Sequence, residues 1–399
     1  MTPRVRWAVL VLGGAILVLV PLMAAEHPGQ SFHVRPSDLP APFATPTVEN
    51  SSHVIARPRD AKPVAPRGFA VSLFASGLTH PRFLLQLPDG DVLVSEPDAN
   101  KLTLLRGGRA SEFAEGFDKP HGLAFHDGAI YVADLKAVWR LAYRDGARKA
   151  GARSRVTKDG FGPLGGHFSR DIAFDRSGAL YVAIGSMSNV DEEAPPRATV
   201  QKVDAQGHLA TFVSGTRNPV GLVLAPGTND LYITVNERDG YGDALVPDYF
   251  TRIQQGDFFG WPYAYIGNHP DPSYGAKRPD MVAKTKTPDV LFAAHSAPLG
   301  FAFYDGGQFP SAYRGDALVA LHGSWNSGKP TGYKVVRVRF AGGRPTGEYE
   351  DFLTGFWDGQ SSPARVWGRP VGVLVLKDGS VLVSDDAGKA IWRVSYTGK

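Results

Sequence analysis

From Gly68 to the C-terminus, short apolar runs alternate with glycine-centred turns, and the alternation repeats. One unit is a turn, an apolar run of strand length, a second turn containing glycine, and another apolar run. It appears from Pro81 as PRFLLQLPDGDVLVSE, from Pro120 as PHGLAFHDGAIYVAD and from Ser169 as SRDIAFDRSGALYVAIG. It returns from Pro219 as PVGLVLAPGTNDLYITVNE, from Pro298 as PLGFAFYDGGQFPSAYRGDALVALHG, and from Pro370 as PVGVLVLKDGSVLVSDD. Apolar runs of this length bounded by Gly, Pro and Asp read as strands. Third runs follow most copies: KLTLLR from Lys101, AVWRLAYR from Ala137, GYKVVRVRF from Gly332 and AIWRVSY from Ala390. Past residue 26 no stretch shows the three-and-four apolar spacing of a sustained helix.

Self-similarity at about 40 to 50 residues, with three or four strands per copy, predicts an all-β, six-bladed β-propeller over residues 67–399. One small sheet leaves both faces uncovered. Radial stacking covers them, and ring closure removes long free edges. The run from Gly68, GFAVSLFASG, has no partner of its own and is expected to complete the last blade near Trp392. An array of β-sandwiches is the competing architecture, and six near-copies without linkers argue against it.

Residues 26–66 are rich in Pro, Ser and Ala without periodicity and read as an extended linker. Before them, Arg4 and Arg6 precede an apolar run from Trp7 to Ala25. Residues 1–25 therefore read as a signal peptide or a membrane anchor. Both readings export the rest of the chain, to the periplasm or the medium, and a retained segment from Trp7 to Ala25 attaches the protein to the membrane.

Composition removes several function classes. The 399 residues contain no cysteine, which excludes disulfides, thiolate metal sites, iron–sulfur clusters and thioether-linked haem. Lys and Arg number 43 against 39 Asp and Glu, with the signs interleaved, so no basic block tracks a nucleic acid.

Unusual polar residues gather at the ends of the repeated strands. Gly165-Gly166-His167 opens the third copy, where glycines admit a ligand and a histidine can act as general base. Arg217-Asn218 opens the fourth copy with a cationic fork and an amide. That copy ends in NERDGYGD, whose acidic residues, turn glycines and free carbonyls suit a hard cation such as Ca²⁺. His322-Gly323-Ser324-Trp325-Asn326, Lys334, Arg369 and His121 occupy comparable ends. Each taken singly fits a structural role. Their equivalent places in the repeat bring them to one mouth.

In these pieces the chain resembles the glucose/sorbosone dehydrogenase family, the soluble quinoprotein sugar dehydrogenases, and within it the sorbosone dehydrogenase-like branch. The resemblance runs from Gly68 to Tyr396 and rests on GGHFSRDIAF, GTRNPVGL, NERDGYGD through Tyr263, HGSWN and GRPVGV. It implies oxidation of a sugar or sugar-derived aldehyde by hydride transfer to pyrroloquinoline quinone with Ca²⁺. It implies His167 as catalytic base and Arg217, Asn218 and Arg369 on the cofactor. Calcium would be held by the Asp239 and Gly240 carbonyls. The family's cofactor lysine falls at His322 or at Lys334, and His121 lies near the place of a family glutamine. The partners implied are a small sugar or aldehyde and an electron acceptor, a separate cytochrome or a quinone. Two other classes share this fold: a calcium-dependent propeller lactonase or hydrolase, and a non-catalytic carbohydrate-binding propeller. The arginines at the mouth suit a tricarboxylate quinone rather than a lactonase.

Overall fold

The computed structural model describes residues 26–398, so the signal-or-anchor segment 1–25 lies outside the described residues. Six antiparallel sheets succeed one another around an axis. Blade 1 is Leu84–Gln86, Val92–Glu96, Lys101–Arg106 and Arg109–Glu115; blade 2 is Leu123–His126, Ala129–Ala133, Val138–Ala142 and Arg153–Arg155. Blade 3 is Arg170–Phe174, Leu180–Ile184, Thr199–Val203 and Leu209–Ser214; blade 4 is Asn218–Leu224, Leu231–Asn236, Tyr249–Ile253 and Val290–Leu291. Blade 5 is Pro298–Phe303, Ala317–Leu321, Lys334–Ala341 and Arg344–Leu353. Blade 6 takes Pro370–Val375, Val381–Asp385 and Ala390–Tyr396 from the C-terminus and its outer strand, Phe69–Ser76, from the start of the repeat. Trp392 faces Leu73 in that pair, so the ring closes as the sequence predicts.

The core lies between blades. Six apolar clusters fill the six joints, for instance Leu93, Leu104 and Ile130 between blades 1 and 2, and Val335, Phe352 and Trp392 between blades 5 and 6. A small seventh cluster of Val220, Leu299 and Val371 sits at the axis against Phe83. Burying each such side chain contributes roughly 1.5–3 kcal/mol, so the ring is held by its joints.

The repeated Pro-x-Gly at the start of the inner strands has a steric cause. A Cβ on Gly221 would stand 2.7 Å from the Leu299 carbonyl oxygen, and one on Gly372 would stand 2.5 Å from that of Arg82. Neighbouring inner strands approach too closely there for any side chain. In blade 3 the place is taken by Asp171, whose Oδ2 accepts the Leu222 N–H of blade 4 at 2.8 Å.

One expectation changes. Residues 26–66 are not a free extended linker. Ser31–Phe32 adds a fifth strand to blade 5, His53–Val54 pairs in parallel with Arg365–Val366, and Val64 bridges to Thr354. The segment has no periodicity because it fastens to loops one hydrogen bond at a time. A helix of six residues, Pro279–Lys284, sits in the insertion between the third and fourth strands of blade 4, too short to leave a sustained helical spacing in the sequence.

Candidate functional site

The ends of the inner strands and the loops after the second strands converge on a cavity of about 400 Å³ at one mouth of the ring. Blade 3 brings His167 and Phe168; blade 4 brings Arg217, Asn218, Asn236, Glu237 and Asp239. Blade 5 brings His295, Ala297, His322 and Trp325, and blade 6 brings Arg369. The volume lies within the usual range for a small-molecule site.

His167 is held on one side. Its Nδ1 lies 2.9 Å from the Ser186 carbonyl oxygen and 3.0 Å from Ser186 Oγ. That hydroxyl donates to the Ser188 carbonyl at 2.7 Å, so both atoms facing Nδ1 accept and Nδ1 carries the proton. Nε2 is left with its lone pair. The Arg197 guanidinium buttresses the turn by donating to the Gly165 carbonyl at 2.9 Å and the Ser186 carbonyl at 2.7 Å. Burial, then the charge of Arg217, pushes the His167 pKa down to about 3, so the ring is neutral at neutral pH. Gly185 is required beside it, since a Cβ there would lie 2.3 Å from Asn218 Oδ1 and 2.7 Å from His167 Cβ. Asp171, four residues along the chain, faces the joint with blade 4.

Arg217 is a cross-tie. It donates from Nε to the Asn189 carbonyl at 3.1 Å and through NH1 to the Glu237 carbonyl at 2.7 Å. Its NH2 reaches Asn189 Oδ1 and Asp239 Oδ2, each at 2.9 Å. Arg369 donates to the carbonyls of His322 and Gly323, each at 3.0 Å, and burial lowers its pKa. Asn218 keeps a buried Oδ1 without a partner, and so does Glu237 at Oε1.

Of the two expected cation ligands, Asp239 lines the cavity. Its carbonyl accepts Asn189 Nδ2 at 2.8 Å, and its carboxylate sits between Arg217 and His295. Gly240 departs from the expectation: it is not part of the cavity wall, and its carbonyl accepts the Thr47 hydroxyl at 2.7 Å. Among the described residues no three His, Cys, Asp or Glu side chains are grouped for a metal. Oxygens with open lone pairs are the Asp239 carbonyl and the unpartnered Asn218 Oδ1 and Glu237 Oε1, all on residues that line the cavity.

Two further expectations are corrected. Lys334 is outside the cavity: it is buried in blade 5, its Nζ 2.9 Å from Asp351 and 3.2 Å from Glu26, above the Phe32 ring. Of the two positions, His322 is the one that lines the cavity. His121 is also outside. It is fully buried against Phe83, with Phe168 between it and the cavity.

The sequence reading passed over His295, Asn189 and Asp248. His295 lies 3.2 Å from Asp239 Oδ1 through Nδ1 and 2.9 Å from the Gly242 carbonyl through Nε2. Both neighbours only accept, so both nitrogens donate and the ring is an imidazolium. Burial lowers its pKa, but Asp239 and the carbonyl outweigh that and raise it. The available signal was position, since His295 stands just ahead of the fifth inner strand as His167 does ahead of the third. Asp248 accepts the Glu237 and Ala297 N–H groups, and burial pushes its pKa up to about 7.

Comparison with known proteins supplies a second line of observation. The glucose/sorbosone dehydrogenase family profile matches residues 133–325, and a TrAA12-like profile matches residues 268–397. An uncharacterised protein of Borreliella burgdorferi is 29% identical over 83% of this chain and 90% of its own length. An aldose sugar dehydrogenase of Escherichia coli is 27% identical over 37% of this chain and 43% of its own. Among solved structures, the pyrroloquinoline quinone domain of Coprinopsis cinerea pyranose dehydrogenase, in its holo form, superposes with a TM-score of 0.70. That likeness is at 22% identity, over 86% of this chain and 100% of that one. The quinone-bound aldose sugar dehydrogenase of Streptomyces coelicolor gives 0.61 at 20% identity, over 83% and 99%. These likenesses establish the six-bladed propeller.

Proposed function

From a chain that resembles the glucose/sorbosone dehydrogenase family, we propose a quinoprotein oxidoreductase that oxidises a sugar or sugar-derived aldehyde. The reading takes pyrroloquinoline quinone and Ca²⁺ as its cofactors. The observation that carries it is the cavity itself: a neutral, one-sidedly held histidine faces buried arginines and unpartnered oxygens in one walled space.

Arg369, with Asn218, would hold the carboxylates of the quinone, and Arg217, its donors taken by Asn189, Glu237 and Asp239, would add its charge beside them. Phe168 and Trp325 would flank its ring plane. The Asp239 carbonyl, Asn218 Oδ1 and Glu237 Oε1 would hold the cation. Bound together, this pair supplies two-electron acceptance at a carbonyl polarised by the cation. The protein's own part is a proton and a position. His167 takes the substrate hydroxyl proton at Nε2 while Ser186 keeps Nδ1 protonated and the ring aimed. Trp325, 47% exposed at the rim, offers an apolar face for a sugar ring at the entrance. The same apolar mouth would admit a separate cytochrome or quinone as acceptor, and export of the chain past residue 25 remains part of the reading.

Reconstitution tests it. Purified protein is loaded with the quinone and Ca²⁺ and assayed for dye reduction with a panel of aldoses and aldehydes. Activity should require both cofactors, and chelation before the quinone is added should abolish it. Sugar-independent dye reduction, or lactone hydrolysis without quinone, would favour another class.

A further inference from the structure

Behind the cavity wall runs a line of titratable side chains that the proposed reaction leaves unused. His322 forms part of the wall, and its Nε2 lies 2.9 and 3.0 Å from the two oxygens of Asp386. The Asp386 side chain is only 3% exposed and also accepts Arg82 NH1 at 2.9 Å. His80 Nε2 stands 2.9 Å from the same carboxylate, and His80 Nδ1, buried and without a hydrogen bond, stands 3.1 Å from Asp98 as an ion-pair contact. Asp98 is 49% exposed and pairs with Lys119 at 3.2 Å. A continuous series therefore leads from the cavity to solvent: His322, Asp386, His80, Asp98. His80 has φ +54°, in the left-handed region where a histidine is uncommon. That conformation places its ring between the two carboxylates. Because Asp386 only accepts, His322 Nε2 carries a proton and Nδ1 keeps the lone pair.

We propose that His322, Asp386, His80 and Asp98 form a proton-exit path from the cavity. The inference rests on the redox reading above. Oxidising one hydroxyl to a carbonyl removes two electrons and two protons. When the acceptor takes single electrons without protons, as a haem protein or ferricyanide does, two acceptors take the electron pair and both protons must reach water. His322 takes a proton at Nδ1 and yields the one on Nε2 to Asp386. His80, reloaded at Nε2 through Asp386, passes its Nδ1 proton to Asp98, which hands it to water, and a ring turn resets each histidine. One proton enters at His322 and one leaves at Asp98.

The charges around the line suit transit rather than storage. Burial would raise Asp386, but His322, His80 and Arg82 outweigh it and keep it well below the carboxylate range. His322 is held down to about 4, by burial and then by Arg369, so it is neutral and would hold an added proton only in passing. Lys119 steadies Asp98 at the outer end, and buried His121 lies to the side without joining the series.

The test uses the full chain with Asp98→Asn and His80→Gln. With quinone and Ca²⁺ bound, stopped-flow reduction by sugar should be unchanged. Steady-state turnover with ferricyanide in weak buffer should fall by about tenfold and recover on adding imidazole, a mobile proton carrier. Undiminished turnover, or a loss that imidazole does not repair, overturns the path. A second readout needs no cofactor. In ¹⁵N spectra of the apoprotein at neutral pH, His322 should carry its proton on Nε2 and none on Nδ1, Asp386→Asn should shift both His322 and His80, and Asp98→Asn should shift His80 alone. A His322 protonated on Nδ1 instead, or a His80 that neither variant shifts, overturns the path. A wild type that no sugar reduces would sink the redox reading, and the spectra would still decide the path.

Discussion

At the scale of single residues, the site depends on which nitrogen of His167 holds the proton. Ser186 settles that by presenting two acceptors to Nδ1. The consequence for pH is direct. An ordinary histidine, with a pKa near 6.5, would lose its base form as pH fell through that value. Burial and Arg217 place His167 at about 3 instead, so the neutral base persists far into acid. The rate of cofactor reduction by sugar should therefore stay level from about pH 8 down to about pH 5. An inflection near 6.5 in stopped-flow reduction would show that another group controls the step. Residue chemistry was readable where it coincided with the repeat: His167, Arg217, Asn218, Arg369 and His322 all face one cavity. It was misread at Lys334, because residue type suggested an anion partner while strand alternation turned the side chain toward Asp351 and Glu26.

At the scale of elements, the N-terminal segment has a larger part than its composition suggests. The Thr47 hydroxyl donates to the Gly240 carbonyl, and Phe43 N–H donates to the Tyr241 carbonyl at 2.8 Å. Asn326 Nδ2 reaches the Val48 carbonyl at 2.6 Å, and Asn50 Nδ2 reaches the Ser327 carbonyl at 2.8 Å. The strap thus ties the loop bearing Asp239 to the loop bearing Trp325. Each hydrogen bond contributes about 0.5–1.5 kcal/mol, so Thr47→Val with Asn50→Ala should raise the Ca²⁺ midpoint for reconstitution by about tenfold. An unchanged midpoint would mean the loops hold their shape alone. Blades were legible because strand period, Asp-Gly turns and Pro-x-Gly steps all recur, and each has a packing cause. The strap was not, since isolated bonds to distant loops leave no pattern in the local sequence.

At the scale of the whole molecule, ring closure turns scattered motifs into a site. Phe69–Ser76 is separated from Ala390–Tyr396 by nearly the whole chain, yet the two pair along their length. That pairing fixes blade 6 against blade 1 and so sets Arg369 across the mouth from His167. The axis explains the misplaced His121. The middle position of Pro-x-Gly points to the channel, where Val220, Leu299 and Val371 form an apolar plug below the cavity, and His121 holds the same position in blade 2. The central claim is that this mouth oxidises sugar at a bound quinone with His167 as base. Anaerobic stopped-flow with the reconstituted protein, a stoichiometric aldose and no acceptor tests it most directly. The account predicts full reduction of the bound cofactor in the wild type, slowed by about 10² to 10⁴ in His167→Ala at equal cofactor occupancy. Reduction in His167→Ala at the wild-type rate would contradict it.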